Sequence, residues 1–249
     1  MADYVELLKD KRTGNWFKLF IACFITKQGL EKFVDSGLKK FHEDIYTRVF
    51  KMKKIPEGTE CHQCKPQKIF CKNPQPCEHG ICDKVHEMVA REHALKTPSW
   101  SNTQCWMSSY WEVAKCFLPS SGYRENTGVK DTDFNGIVSL MIHCKHFQNS
   151  LSFYIADEKS VLSKARGIGR LVRHAAELAI TDQDMDTHFN VLLKLLEDPK
   201  CLLQDPAAQT AARNIRLLHD DNLEFLSGDN GDMLRELTNQ QRTVCDDFI

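Results

Sequence analysis

Six of this chain's eleven cysteines fall between Cys61 and Cys105, in a stretch that also carries Pro56, Gly58, Pro66, Pro74, Pro76, Gly80 and Pro98. Punctuation at that density interrupts any long helix or strand, because proline removes a backbone donor and glycine frees φ. Loop-rich sequence that must still be ordered needs a staple. Met1-Ala-Asp-Tyr4 opens with no basic and then apolar leader, so a secretory disulfide framework is not expected. Clustered thiols in a reducing compartment point to a metal instead.

The spacing sharpens this. Cys61-x2-Cys64 and Cys77-x4-Cys82 form two pairs separated by twelve residues. Zinc sites use two such short pairs, each bracketing the ion from one turn, with the loop between them closing a tetrahedron. Cys61, Cys64, Cys77 and Cys82 are therefore the expected ligands of a structural Zn2+, with Cys71, His79, His93 and Cys105 as competing ligands. The run Cys61-x2-Cys64-x12-Cys77-x-His79-x2-Cys82 imitates the first five ligands of a RING. Val85 stands where the sixth belongs, and no closing Cys-x2-Cys follows.

Outside this segment the pattern is helical. Trp16, Leu19, Phe20, Cys23 and Phe24 make one apolar stripe, and Leu30, Val34, Leu38, Phe41, Ile45 and Val49 make a second, with a break expected near Gln28-Gly29. Further helices are expected over Cys82–Leu95, Trp111–Pro119, Phe134–Cys144 and Val161–Ala179. Another opens at Thr181 with the spacing of a capping box, and one runs from Asp205 through Leu218. Residues 227–231, Ser-Gly-Asp-Asn-Gly, read as a turn. The expected class is mainly α. Residues 1–54 and 107–198 form a helical bundle, 55–106 a Cys-rich zinc-binding insertion, and 199–249 an acidic helical tail. Trp16 and Trp111 are expected core anchors.

The longest apolar run, Leu19–Ile25, is seven residues, far short of the roughly 20 that cross a bilayer. No membrane partner is expected, and the expected location is intracellular, cytoplasmic or nuclear. A net charge of −1 conceals a split: residues 182–249 carry six Lys/Arg against fourteen Asp/Glu, leaving +7 on the remainder. That is too mild a balance for a large phosphate footprint.

The one basic feature with chemical potential is Lys164-Ala-Arg-Gly-Ile-Gly-Arg-Leu-Val-Arg-His174. At four-residue steps Arg166, Arg170 and His174 drift only about 40° per step around a helix, so they share a stripe. An Arg beside a His is the minimum for holding a phosphate and moving a proton. An ordinary solvated face has the same spacing.

Asn15-Trp16, the Cys-rich middle, Trp100 with Asn102 and Cys105, and Trp111-Glu-Val-Ala-Lys-x-Phe-x-Pro119 resemble an animal family encoded by an X-chromosome open reading frame in humans, over about residues 13–197. The later part, with His174 leading into Thr181-Asp-Gln-Asp184, also resembles the HEPN-like helical domain of the DAZ-interacting zinc-finger ubiquitin ligase. The resemblance implies a helical bundle, often dimeric, and in many HEPN domains an Arg-x(4–6)-His ribonuclease site. Here His174 takes the histidine position, but Arg170 gives Arg-x3-His and Arg166 gives Arg-x7-His. The expected role is therefore a non-catalytic interaction module binding a protein partner or a second copy of itself. RNA binding or weak metal-independent ribonuclease action by Arg166, Arg170 and His174, and a ubiquitin-pathway adaptor role, are the alternatives.

Overall fold

The computed structural model describes residues 11–53, 61, 64–154, 159–175 and 178–220. Among these all regular structure is helical, and the one pairing of extended backbone is an isolated antiparallel bridge between His93 and Cys144. Eight α-helices follow in order: α1 Lys11–Lys53, α2 Pro66–Ile69, α3 Ile81–Glu92, α4 Tyr110–Lys115, α5 Phe134–His143, α6 Val161–His174, α7 Asp182–Leu196 and α8 Pro206–His219. No helix of the described residues is long and apolar enough to cross a membrane.

The two amino-terminal stripes belong to one helix. The break expected at Gln28-Gly29 does not occur, because α1 runs unbroken for 43 residues. Gly29 is present for closeness: a Cβ there would stand 2.6 Å from Ala211 Cβ, 2.9 Å from Leu196 Cδ2 and 3.4 Å from Ala208 Cα. Gly37 works the same way, its missing Cβ lying 2.6 Å from the Phe147 ring. Gly29→Ala is expected to destabilise. Overpacking costs about 1–3 kcal/mol, and the helix-propensity gain of up to about 1 kcal/mol only partly offsets it. A lower urea midpoint at unchanged slope checks this.

By compactness the chain divides into two units. The first takes in the described residues of Met1–Lys32, Asp133–Asn135 and Leu151–Ile249, and the second those of Phe33–Thr132 and Gly136–Ser150. This cuts differently from the three-part reading of the sequence. The Cys-rich segment shares the second unit with the later part of α1 and with α4. Helix α8 is core of the first unit rather than part of an appended tail, with Ala208, Ala212, Ile215 and Leu218 fully buried. Its alanine face is what lets it approach Gly29. The turn expected at residues 227–231 lies outside the described residues.

In the first unit Asn15-Trp16 joins three elements. Asn15 donates to the Ile180 carbonyl at 3.2 Å and to Asp182 at 2.8 Å, and the Trp16 indole N–H donates to the Val172 carbonyl at 3.2 Å. Thr181 caps α7 as its spacing predicts, its hydroxyl oxygen accepting the Asp184 N–H at 3.1 Å. Asp198 closes the far end of α7, one carboxylate oxygen accepting the Ser152 N–H and hydroxyl and the other the N–H groups of Lys200 and Cys201.

The second unit is organised around the Trp111-Glu-Val-Ala-Lys motif. Trp111, Val113 and Ala114 are buried, and the Trp111 indole N–H donates to the Asn126 carbonyl at 2.6 Å. Glu112 accepts from the Asn102 N–H at 2.8 Å and from Lys115 Nζ at 2.8 Å. Thus the motif that carries the resemblance builds structure: it ties the 99–106 segment to α4, where Ser99 also bonds to the Cys116 and Leu118 carbonyls.

Candidate metal centre

Both cysteine pairs lie in the second unit, each shaped by local turn chemistry. Cys64 precedes Pro66, whose ring suits the first position of α2. Cys77 opens a turn in which the Gly80 N–H donates to the Cys77 carbonyl at 2.8 Å. Gly80 adopts φ +65°, a left-handed conformation that glycine takes without a Cβ penalty. That turn delivers Cys82 into the first turn of α3. Asp83 then reaches back to accept the Cys77 N–H at 2.8 Å.

The outcome is a single cluster. The sulfurs of Cys61, Cys64, Cys77 and Cys82 all lie within 4.8 Å of one another, and all four residues are buried. The Cys61 and Cys77 sulfurs are 3.6 Å apart, too far for the roughly 2.05 Å of a disulfide. A tetrahedron with metal–sulfur bonds of about 2.3 Å has sulfur–sulfur edges of about 3.8 Å. The Cys61–Cys77 edge of 3.6 Å is close to this, and the 4.8 Å bound keeps the other sulfurs within reach of one ion.

The electrostatics fit a cation. Burial, then the hydrogen bonds and charges of Cys61 and Cys77, push the Cys64 thiol up to about 12. Burial and the neighbouring thiolates raise Cys82 further. At Cys77 burial acts in the same upward direction but is outweighed by hydrogen bonds to its sulfur from the Cys82 N–H, the Cys64 and Cys61 thiols and the His79 N–H, so its thiol falls below its ordinary value. Three or four thiolates packed this closely repel one another, and a bound cation removes that cost. Four soft sulfur donors in tetrahedral reach suit zinc or iron. The arrangement can hold an ion with no open position, which is a structural site rather than a catalytic one.

The competing ligands lie elsewhere. Cys71 is exposed and bonds to the Lys68 and Asn73 carbonyls. His79 is exposed, so the fourth position of the RING-like run contributes no side chain to the cluster. Cys105 is half-buried and accepts from Asn102 Nδ2 at 3.2 Å.

His93 is buried between the Phe117 and His143 rings, with Nδ1 accepting the Leu95 N–H at 3.1 Å. Burial, then the charges of His143 and Lys145, push it down to about 4. Its unfolded value is near 6.5, so between the two values the unfolded chain binds more protons. The stability His93 contributes is intact above about pH 6.5 and is lost as pH falls toward 4. Thermal midpoints from pH 7 to 4 should fall less steeply in His93→Gln.

Two contributors escaped the sequence reading. Thr103, 2% exposed, donates its hydroxyl to the Cys64 carbonyl. Trp106, 1% exposed, packs edge-on to Phe70 and parallel to His86, with its carbonyl bonded to His42 Nε2 at 2.7 Å. The only sequence signal for either was proximity to Cys105 in a motif.

The basic stripe lies in the first unit. Helix α6 is continuous through Gly167 and Gly169, with Arg170 and His174 exposed and Arg166 half-buried. Arg173, beside the stripe, is engaged by Asp133. Burial and the Arg170 charge hold Arg166 below its usual value.

No curated protein and no solved structure matches this chain. One family does, over residues 7–244, and the chain therefore belongs to DUF4559, a domain of unknown function.

Proposed function

We propose that this chain is a non-catalytic helical interaction module whose cysteine-rich segment is held by one structural zinc ion. The observation that carries the reading is the buried four-sulfur cluster, spaced for a tetrahedral ion and too open for disulfides. Zinc is favoured over iron because two short pairs around a closed S4 site are its commonest structural arrangement.

The HEPN-like bundle is part of the proposal, as is membership of the animal open-reading-frame family. The non-catalytic part rests on geometry. Arg166, Arg170 and His174 step along a regular helix four residues at a time, and a slip of two residues rotates a side chain by about 200°. Helix α6 continues without interruption from Val161 to His174, which supports keeping these side chains at their sequence spacing, outside the Arg-x(4–6)-His register. The partner we propose is a protein surface or a second copy of the chain. A ubiquitin-pathway role would come through an associated ligase, since the RING-like run stops at its fifth ligand.

One observation favours RNA as a second reading. Among the described residues neither Arg166 nor Arg170 has an acidic partner, and each repels the other. Against it, Arg170 and His174 sit in the last turns of α6, where the helix dipole is negative and phosphate is disfavoured.

The test is an RNA-cleavage and binding assay on zinc-loaded protein, with Arg170→Ala and His174→Ala alongside. The expected result is no cleavage, with both variants folding normally because these side chains are exposed. Cleavage by the parent chain that His174→Ala abolishes would overturn the non-catalytic reading. Salt-sensitive binding lost in Arg170→Ala would move the assignment to RNA.

A further inference from the structure

We infer that Thr103 is a positioning residue of the metal centre, holding the first cysteine pair in register with the second. The inference rests on the zinc reading above. Thr103 lies 39 residues from Cys64 and 21 from Cys82 in sequence, yet touches one member of each pair. Its hydroxyl donates to the Cys64 carbonyl, and its own carbonyl lies 4.0 Å from the Cys82 sulfur. Neither contact belongs to either cysteine turn.

The residue is well placed to act as a strut because its segment is fixed. Ser99 bonds to the Cys116 carbonyl at 2.8 Å and the Leu118 carbonyl at 2.6 Å, and the Asn102 N–H donates to Glu112 at 2.8 Å. Past the turn at Thr103–Cys105, the Trp106 indole donates to Ser101 Oγ at 2.8 Å. Fixing the Cys64 carbonyl fixes the peptide from which that ligand springs. The cluster is thereby tied to α4 through a residue that is not a ligand. Outer-shell bonds of this kind orient ligands and typically change metal affinity by about 10–100-fold when removed.

Thr103→Val removes the hydroxyl at nearly constant shape, and Thr103→Ser restores it. Zinc affinity is measured on the full chain by competition with a chromogenic chelator, and the cobalt-substituted absorption spectrum is recorded for each protein. The expected result is one zinc per chain in all three, binding about 10–100-fold weaker in Thr103→Val, a shifted cobalt spectrum in that variant, and recovery of both in Thr103→Ser. If Thr103→Val does not fold even with zinc, Thr103→Ala is held to the same comparison. A variant that lacks the hydroxyl but keeps parental zinc affinity and cobalt spectrum overturns the inference, even if its melting temperature falls. A folded parent chain that binds no zinc overturns the zinc reading itself and is recognisable without any variant.

Discussion

Cys61→Ser or Cys77→Ser releases the ion and unfolds the cysteine-rich segment. Structural zinc contributes on the order of 10 kcal/mol of coupled binding and folding free energy in small sites, comparable to the roughly 5–15 kcal/mol that holds a whole domain folded. The segment has few other means of order. Between Cys64 and Cys82 the only helix is the four-residue α2, and residues 71–76 are exposed. Removing one thiolate also leaves the other three buried without their full complement of partners. Near-total loss of bound zinc and a much lower melting temperature are expected in both variants, and strong chelators should reproduce the effect in the parent chain. Cys71→Ser is the control and should change neither, since its side chain is exposed and outside the cluster.

Trp106→Ala should cost about 3–5 kcal/mol, the range for emptying a buried aromatic site. Its ring centroid lies 5.8 Å from that of Phe70 and 6.3 Å from that of His86, so truncation leaves a cavity lined by aromatic groups. It also strips the Ser101 hydroxyl of its indole donor. Urea denaturation of zinc-loaded protein measures the loss. Trp106→Phe, which refills most of the volume without the N–H, should fall between the two. A cost for the alanine variant no greater than an average surface substitution would show that the site collapses around the gap or is not part of the core.

The features legible in the sequence were those whose cause is local. A cysteine pair with only two or four residues between its members has little choice but to share a turn, so the four sulfurs could be read before any fold was known. Apolar periodicity marked where the long helices of the described residues lie, although it split α1 in two, and Thr181 with Asp184 marked the start of α7. Features set by distant residues were not legible. Gly29 reads as a helix break because glycine punctuates locally, whereas its role is decided by Ala211, some 180 positions away. Thr103 is an ordinary polar residue until the fold brings it to Cys64. His93 has the donor chemistry of a ligand, but its ring is enclosed by Phe117 and His143. Arg173 belongs by spacing to the basic face, yet Asp133 takes it out of that role. Helix α8 lies in an acidic region, and charge counting hides the alanine face that buries it.

Elemental mass spectrometry of the purified native protein, with metal counted per chain, tests the central claim most directly. The account predicts one zinc per chain, lost in Cys61→Ser and Cys77→Ser and retained in Cys71→Ser. A cooperatively folded protein with no bound metal would contradict it, and the four clustered thiols would then need redox chemistry to explain them.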